Sequence, residues 1–264
     1  MKRFLVIGNP IAHSLSPKLH NYWLSKYKIK GNYEKKLIND EDLSGLILKV
    51  KNEEIDGINI TVPFKTKIIS YLDYLSEEAN ITQSVNTVFK KNEKVVGINT
   101  DTIGFELSIK KFEKFIKNKI VLILGAGGVV PSLIYVLKKF NPLKILVTNR
   151  TSSKLIELKK RFPDIEIINW GETPSADFIL NGTSLGLNLN DQINIDYNKI
   201  GTNKFYYDVI YNPPKTNFLK QAEIRKNKIL NGKMMFLFQA QQAFCLWNNF
   251  EPEINDEVIH LLDD

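Results

Sequence analysis

The sequence predicts an α/β fold in two domains, and three observations carry that expectation. Short apolar runs alternate with stretches of helical spacing along the chain, the order expected of strands and the helices joining them. A near-continuous apolar run at residues 119–124 ends in Gly125-Ala126-Gly127-Gly128 and is followed by a helical stretch, which is the strand, glycine turn and helix of a dinucleotide-binding unit. The 264 residues suffice for one large domain or two modest ones. Strands alternating with helices over residues 1–100 make a first domain before that glycine turn is reached.

Taken in order, residues 4–8 form a short strand that stops at Gly8-Asn9-Pro10. Pro17 can open a helix with Ser16 as its N-cap, running through Leu19, Tyr22, Trp23 and Tyr27. A strand at 33–38 and a helix at 41–50 lead to the third strand, 55–62, which halts at Pro63. Residues 67–75 read as a helix. Residues 84–89 and 94–98 read as a hairpin turning about Lys91-Asn92, and a helix follows over about 103–115. In the second half, strands are expected at 119–124, 144–148, 165–168, 177–180, 205–209 and 228–230. Helices are expected at 129–140 and 218–226, with a long closing helix at 234–248. The strand at 119–124 is apolar on both faces, as a strand covered on both sides requires.

Composition bounds the chemistry. Hydrophobic residues make up 43% and charged residues 25%, the balance of an ordinary globular chain. The net charge of +7 suits an anionic partner, either nucleic acid or an anionic metabolite. The lysines are scattered, often in pairs such as Lys35-Lys36 and Lys138-Lys139, with no basic-aromatic module, so nucleic acid is not expected. A single cysteine, Cys245, leaves no internal disulfide and no cysteine-rich metal site. His13 and His20 have no third histidine or acidic cluster at ligand spacing, so no metal is expected and both read as structural or hydrogen-bonding residues. No apolar segment is long enough to span a membrane, and the expectation is a cytoplasmic protein.

Several residues carry a chemical reading beside a plainer one. Asn59, Thr61 and Lys65 stand together at a strand end, where open α/β sheets place their chemistry, although a lone lysine is usually a solvated charge. Ser14 and Ser16 flank a helix start and could hold a carboxylate, or Ser16 could simply cap. Asp101 could cap the helix after it, and Gln239 could be a surface amide. Arg150 follows the strand at 144–148 where an NAD enzyme would carry an acidic residue for the ribose hydroxyl. A guanidinium there, with Lys154 one turn on, suits a 2′-phosphate by charge-assisted hydrogen bonds. The reading is NADP rather than NAD. The glycine motif itself is an imperfect match, since its third small position is Val130.

Taken together, the motifs resemble a known family. They are Gly8-x-Pro10-x-x-His13-Ser14-x-Ser16-Pro17-x-x-His20-Asn21, Asn59-x-Thr61-x-Pro63-x-Lys65, Val85-Asn86-Thr87 and Gly97-x-Asn99-Thr100-Asp101-x-x-Gly104. Further on come Gly125-Ala126-Gly127-Gly128, Asn149-Arg150-Thr151, Asn181-x-Thr183-Ser184-x-Gly186, Asp208-x-x-Tyr211 and Gly232-x-x-Met235 with Gln239 and Trp247. Nearly end to end, the chain resembles the shikimate dehydrogenases, NADP-linked enzymes of aromatic amino-acid biosynthesis. The resemblance implies that Ser14, Ser16 and Tyr211 hold the substrate carboxylate, and that Asn59, Thr61, Asn86 and Gln239 bind the ring hydroxyls. It implies that Lys65 and Asp101 flank the oxygen that changes oxidation state. For NADP it implies Gly125, Ala126, Gly127, Gly128, Asn149, Arg150, Thr151 and Lys154, together with Thr183, Ser184, Gly232 and Met235.

The fold implied is a substrate domain of residues 1–101 that receives the C-terminal helix 236–264, a Rossmann NADP-binding domain of 102–235, and an active site in the cleft between them. The activity implied is reversible NADPH-dependent reduction of 3-dehydroshikimate to shikimate, by a monomer or homodimer. The alternatives are a quinate/shikimate dehydrogenase, against which Ser16 argues, and a non-catalytic sensor, against which Lys65 and Asp101 argue. Gln83-Ser84 and Val129 depart from the family pattern of Gly-Ala and alanine, and Lys154 stands where arginine is common.

Overall fold

The computed structural model describes residues 1–188 and 190–263. The chain divides into two units, Met1–Gly104 with Leu237–Asp264, and Phe105–Phe236. In the first, β1 (Lys2–Gly8), α1 (Ser16–Lys26), β2 (Gly31–Leu37), α2 (Asp42–Lys51) and β3 (Gly57–Ile60) alternate as expected. β1 pairs in parallel with both β2 and β3. A 3-10 turn (Lys67–Tyr71), the two-residue β4 (Tyr74–Leu75) and α3 (Glu77–Thr82) come next. They are followed by β5 (Thr87–Lys91) and β6 (Lys94–Ile98), which close the sheet in the order β2-β1-β3-β5-β6-β4. Its core packs Leu5, Ile7, Ile58 and Ile60 against Leu43, Leu46, Ile47 and Val50 of α2.

Three expectations for this part need correction. Residues 67–75 are not one helix. Asp73 exchanges hydrogen bonds with Val95, at 2.7 and 3.0 Å, and draws Tyr74 and Leu75 onto the edge of the sheet. The hairpin turns on Asn92 and Glu93, since Lys91 pairs with Lys94. Both turn residues have positive φ, 48° and 62°, which suits the twist of a two-residue turn. Ser16 is the first residue of α1, not its cap: Leu15 holds the cap position, and the Ser14 hydroxyl accepts from the Ser16 N–H at 3.3 Å.

The next helix, α4 (Thr100–Ile109), begins earlier than expected and gives way to a 3-10 turn at Lys110–Phe115. Asp101 therefore lies inside the first turn and does not cap. That task falls to Asn99, whose side-chain oxygen accepts from the Asp101 N–H at 3.2 Å.

The second unit runs β7 (Ile120–Leu124), α5 (Val130–Lys139), β8 (Lys144–Thr148), α6 (Ser152–Arg161), β9 (Glu166–Ile167), β10 (Phe178–Asn181), α7 (Tyr197–Ile200), β11 (Phe205–Asp208), α8 (Asn217–Ile224) and β12 (Lys228–Leu230). Its strands pair in parallel throughout, in the order β12-β11-β10-β7-β8-β9. This is the doubly wound order in which the winding reverses between β7 and β10, the place where such sheets bind nucleotides. Alternate residues of β7 explain its unbroken apolar run: Val121 and Ile123 enter one core, Leu122 and Leu124 the other. The chain closes with α9 (Lys233–Asn248) and α10 (Asp256–His260). The stretch expected as one helix over 236–264 is thus two helices joined by a segment without regular structure, and residue 264 lies outside the described residues.

Candidate active site

Hydrogen-bonding side chains of the first unit form one network. Lys65, just past β3, places its ammonium nitrogen 2.5 Å from Asp101 Oδ2, and both side chains are largely buried. The other carboxylate oxygen accepts from Asn86 Nδ2 at 2.8 Å. Because a carboxylate only accepts and a backbone N–H only donates, the Asn86 amide has one possible orientation. Its nitrogen faces Asp101, and its oxygen accepts from the Thr100 N–H at 2.7 Å. The fold supplies these residues from three places: the loop after β3, the residue before β5 and the first turn of α4. One Lys65 N–H is committed to Asp101, which leaves two for another acceptor.

Asn59 is also held from several sides. Its nitrogen donates to the Asn86 carbonyl at 3.0 Å and to the Thr87 hydroxyl at 3.1 Å. Its oxygen accepts from the Tyr33 hydroxyl at 2.7 Å. Both amide hydrogens are used, so toward a ligand Asn59 offers an acceptor only. Tyr33 is fixed in turn by Asn21, which pairs with its backbone at 2.8 and 2.9 Å, and by His20 stacked on its ring at 4.3 Å. Burial raises the Tyr33 phenol well above its usual range, so it stays protonated, and a bond with Ser16 opposes the shift only in part.

The other expected substrate residues fall as follows. Gln239, on α9, lies 3.5 Å from Asn86 Nδ2 through its side-chain oxygen and is half-buried, so it belongs with the network rather than on an open face. The Thr61 methyl rests against Gly8, where a Cβ would come within 2.5 Å, and its hydroxyl has no partner among the described residues. Ser14 is half-buried and Ser16 buried at the start of α1, a turn without an acidic residue. Tyr211 is carried by the second unit, where it stacks on Phe236 at 4.7 Å and burial pushes its hydroxyl up to about 12.

The cofactor candidates lie on the second unit. Gly125 has φ of 110°, and a Cβ there would meet Thr183 Cγ2 at 2.8 Å, so the glycine turn is pressed against the loop after β10. Val130, the departure from the small-residue pattern, fits because its neighbour is Gly182, where a Cβ would lie 2.8 Å from Val130 Cγ2. A Cβ at Gly128 would meet nothing within 4 Å, and one at Gly127 would meet the Gly182 carbonyl oxygen at 3.6 Å. Asn149 bridges the two edges of the site, accepting from the Ala126 N–H at 3.2 Å and donating to the Thr151 carbonyl at 3.0 Å. Arg150 is exposed, with no ion pair or side-chain hydrogen bond among the described residues. It precedes α6, so the helical spacing expected between Arg150 and Lys154 does not hold, but both stand at the N-terminal end of that helix.

Thr183 spends its hydroxyl proton on Asn181 Oδ1 at 2.7 Å, while Ser184 is exposed. Gly232 passes so close to the Val209 carbonyl that no side chain fits there, and Met235 packs into the apolar core of this unit.

Sequence reading missed three contributors. Thr100 and Thr87 both serve the Asn86 amide, and Asp208 holds the ends of two loops together. Asp208 accepts from Thr216 at 2.6 Å, Ile210 N–H at 3.0 Å and Asn181 at 3.0 Å. Burial pushes its carboxyl up to about 6 against those three bonds. The available signal was polar residues inside otherwise apolar strands, since a buried polar group requires a partner.

Comparison with known proteins identifies the family. The family model described as the shikimate dehydrogenase substrate binding domain matches residues 6–88. The chain is 59% identical over 262 residues to a protein of Pelagibacter ubique named shikimate dehydrogenase (NADP(+)), covering 99% of each. The crystal structure of shikimate dehydrogenase from Aquifex aeolicus matches with a TM-score of 0.89 at 36% identity, over 100% of this chain and 98% of that one. The shikimate 5-dehydrogenase of Thermus thermophilus, solved in complex with NADP(H) and shikimate, gives 0.88 at 29% identity, over 99% and 98%. With a relative this similar along its whole length, the chain belongs to the shikimate dehydrogenase family.

Proposed function

We propose that this chain catalyses the reversible, NADPH-dependent reduction of 3-dehydroshikimate to shikimate, the step its family serves in aromatic amino-acid biosynthesis. The observation that carries the reading is the Lys65–Asp101–Asn86 group, a buried ammonium with two N–H donors unpartnered among the described residues, held by a carboxylate that is itself fixed by an amide. As hydride reaches the ketone carbon, charge develops on the carbonyl oxygen, and Lys65 stabilises and protonates that oxygen. Asp101 keeps the ammonium aimed. Asn59, Thr61, Asn86 and Gln239 bind the ring hydroxyls, while Ser14, Ser16 and Tyr211 bind the carboxylate.

NADP, when bound, supplies or accepts the hydride. The second unit fits it on three counts. The glycine turn has open space at Gly128, the first turns of α5 and α6 carry no acidic residue, and Arg150 is unpaired among the described residues. Ala126, Asn149, Thr151, Thr183 and Ser184 line the same loops, Arg150 and Lys154 take the 2′-phosphate, and Gly232 and Met235 complete the set. Two partners named for relatives, shikimate and NADP(H), are therefore the ligands of this chain, and we place it in the cytoplasm. No helix among the described residues is long and apolar enough to cross a membrane.

The test is a pair of variants. Lys65→Ala should lower kcat by about a thousandfold or more and Asp101→Asn by less, with the melting temperature little changed. Turnover within a few-fold of wild type for both would overturn the assignment.

A further inference from the structure

The Val85-Asn86-Thr87 motif contains a hydroxyl that no step above uses. Thr87 opens β5 with none of its surface exposed, and its hydroxyl lies between the two amides of the network. It accepts from Asn59 Nδ2 at 3.1 Å, and its single proton faces Asn86 Oδ1 at 3.2 Å. The Thr87 hydroxyl can instead donate to the Thr100 hydroxyl at 3.2 Å, which itself donates to Asn86 Oδ1 at 3.1 Å. On either path the direction is the same: Asn59 donates to Thr87, and Thr87 delivers a proton toward Asn86.

The bonds beyond Thr87 continue in a fixed sense. Tyr33 donates to Asn59, Asn86 donates to Asp101 Oδ1, and Lys65 donates to Asp101 Oδ2. Without the Thr87 oxygen, one Asn59 N–H would have no acceptor in a buried site, and the Asn86 oxygen would lose one of its donors. The Asn86 carbonyl and the Tyr33 hydroxyl would still hold Asn59, and Thr100 and Asp101 would still hold the Asn86 amide, so each amide would keep its other bonds and lose the side-chain link between them.

We propose that Thr87 is a positioning residue that couples the ring-hydroxyl ligand Asn59 to the Asn86–Asp101–Lys65 group, so that substrate binding and the proton-delivering lysine are held in one register. The inference rests on the function proposed above. Its substrate arm is a ketone whose neighbouring ring hydroxyl donates to Asn59, because both Asn59 hydrogens are already engaged.

Valine and serine separate the roles of the hydroxyl and of shape. Thr87→Val keeps the branched β-strand side chain and removes the hydroxyl; Thr87→Ser keeps the hydroxyl. With 3-dehydroshikimate and NADPH, Thr87→Val should lower kcat about thirtyfold, the effect of two weakened hydrogen bonds. It should raise the KM for 3-dehydroshikimate and leave the KM for NADPH unchanged, and Thr87→Ser should stay within about threefold of wild type. In an Asn86→Ala background the same Thr87→Val change should alter kcat by less than about threefold, because its route to Asp101 is already cut.

Equal losses of kcat in both backgrounds, or equal losses for valine and serine, would show a structural role only and overturn the proposal. The side-chain amide signals of Asn59 and Asn86 in an NMR spectrum give a readout that needs no turnover. Both should shift and exchange faster with solvent in Thr87→Val and not in Thr87→Ser, and unchanged signals would also overturn it. An inactive wild type would count against the proposed reaction, while the amide signals would still decide the coupling.

Discussion

His20 shows what one buried side chain can do to the acid limit of this fold. Its ring stacks on Tyr33, meets Trp23 edge-on at 5.7 Å and has Trp247 at 5.5 Å, with no carboxylate among these neighbours. Burial pulls its pKa from 6.5 to about 3, so the folded protein keeps it neutral while the unfolded chain protonates it near 6.5. The unfolded state then binds more protons between those values, and stability contributed by the neutral ring is present above pH 6.5 and lost as pH falls toward 3. At on the order of 1.4 kcal/mol per unit, the total is several kcal/mol. His20→Phe keeps the stack and removes the titration. Its midpoint of acid unfolding should move to lower pH than that of wild type, as followed by circular dichroism, and an unmoved midpoint would contradict this account. The sequence reading placed His20 among structural residues because no ligand partners stood at the right spacing. It could not see that Asn21 beside it would clamp Tyr33, since that contact joins α1 to β2.

At the scale of elements, strands and the glycine turn were legible, while the short pieces and several caps were not. β4 exists because Asp73 reaches Val95 across the sheet, a contact absent from any local pattern, so apolar Ile68, Ile69 and Leu72 read as a helix. Which residue stands at each cap depended on where the helix begins, and a shift of one to three residues moves that position off Ser16 and Asp101 to Leu15 and Asn99. Val130 looked like a fault in the nucleotide motif for a related reason: the space it needs is supplied by Gly182, more than fifty residues away along the chain.

That pairing is open to test. Gly182→Ala should destabilise the second unit by about 1–3 kcal/mol and weaken NADP binding, through overpacking against Val130. Adding Val130→Ala should recover a large part of both losses. Calorimetric melting and NADP titration of the two variants measure it, and strictly additive damage would refute the complementarity. The loop between β8 and α6 carries its own expectation. Wild type should prefer NADP over NAD by at least about a hundredfold in kcat/KM, on the order of 3 kcal/mol. Arg150→Ala should erode that preference by weakening NADP alone, and kinetics with both cofactors will read whether NAD turnover stays unchanged.

For the whole molecule, two sheets divide the work between a unit bearing the ammonium–carboxylate–amide network and a unit bearing the glycine turn. The parallel sheet was readable from its apolar runs and the spacing of crossover helices. The mixed sheet was less so, because the antiparallel pairing of β5 with β3 joins Asn59 to Thr87 without any local signal. That pairing builds the network, since it brings Asn59, Asn86 and Thr87 side by side beneath the start of α4. The most direct test of the account is the initial rate of NADPH oxidation by the purified chain with 3-dehydroshikimate, measured beside 3-dehydroquinate under the same conditions. The account predicts turnover with 3-dehydroshikimate, at a kcat/KM at least about tenfold above that with 3-dehydroquinate. No oxidation of NADPH with 3-dehydroshikimate, or equal rates with the two ketones, would contradict it.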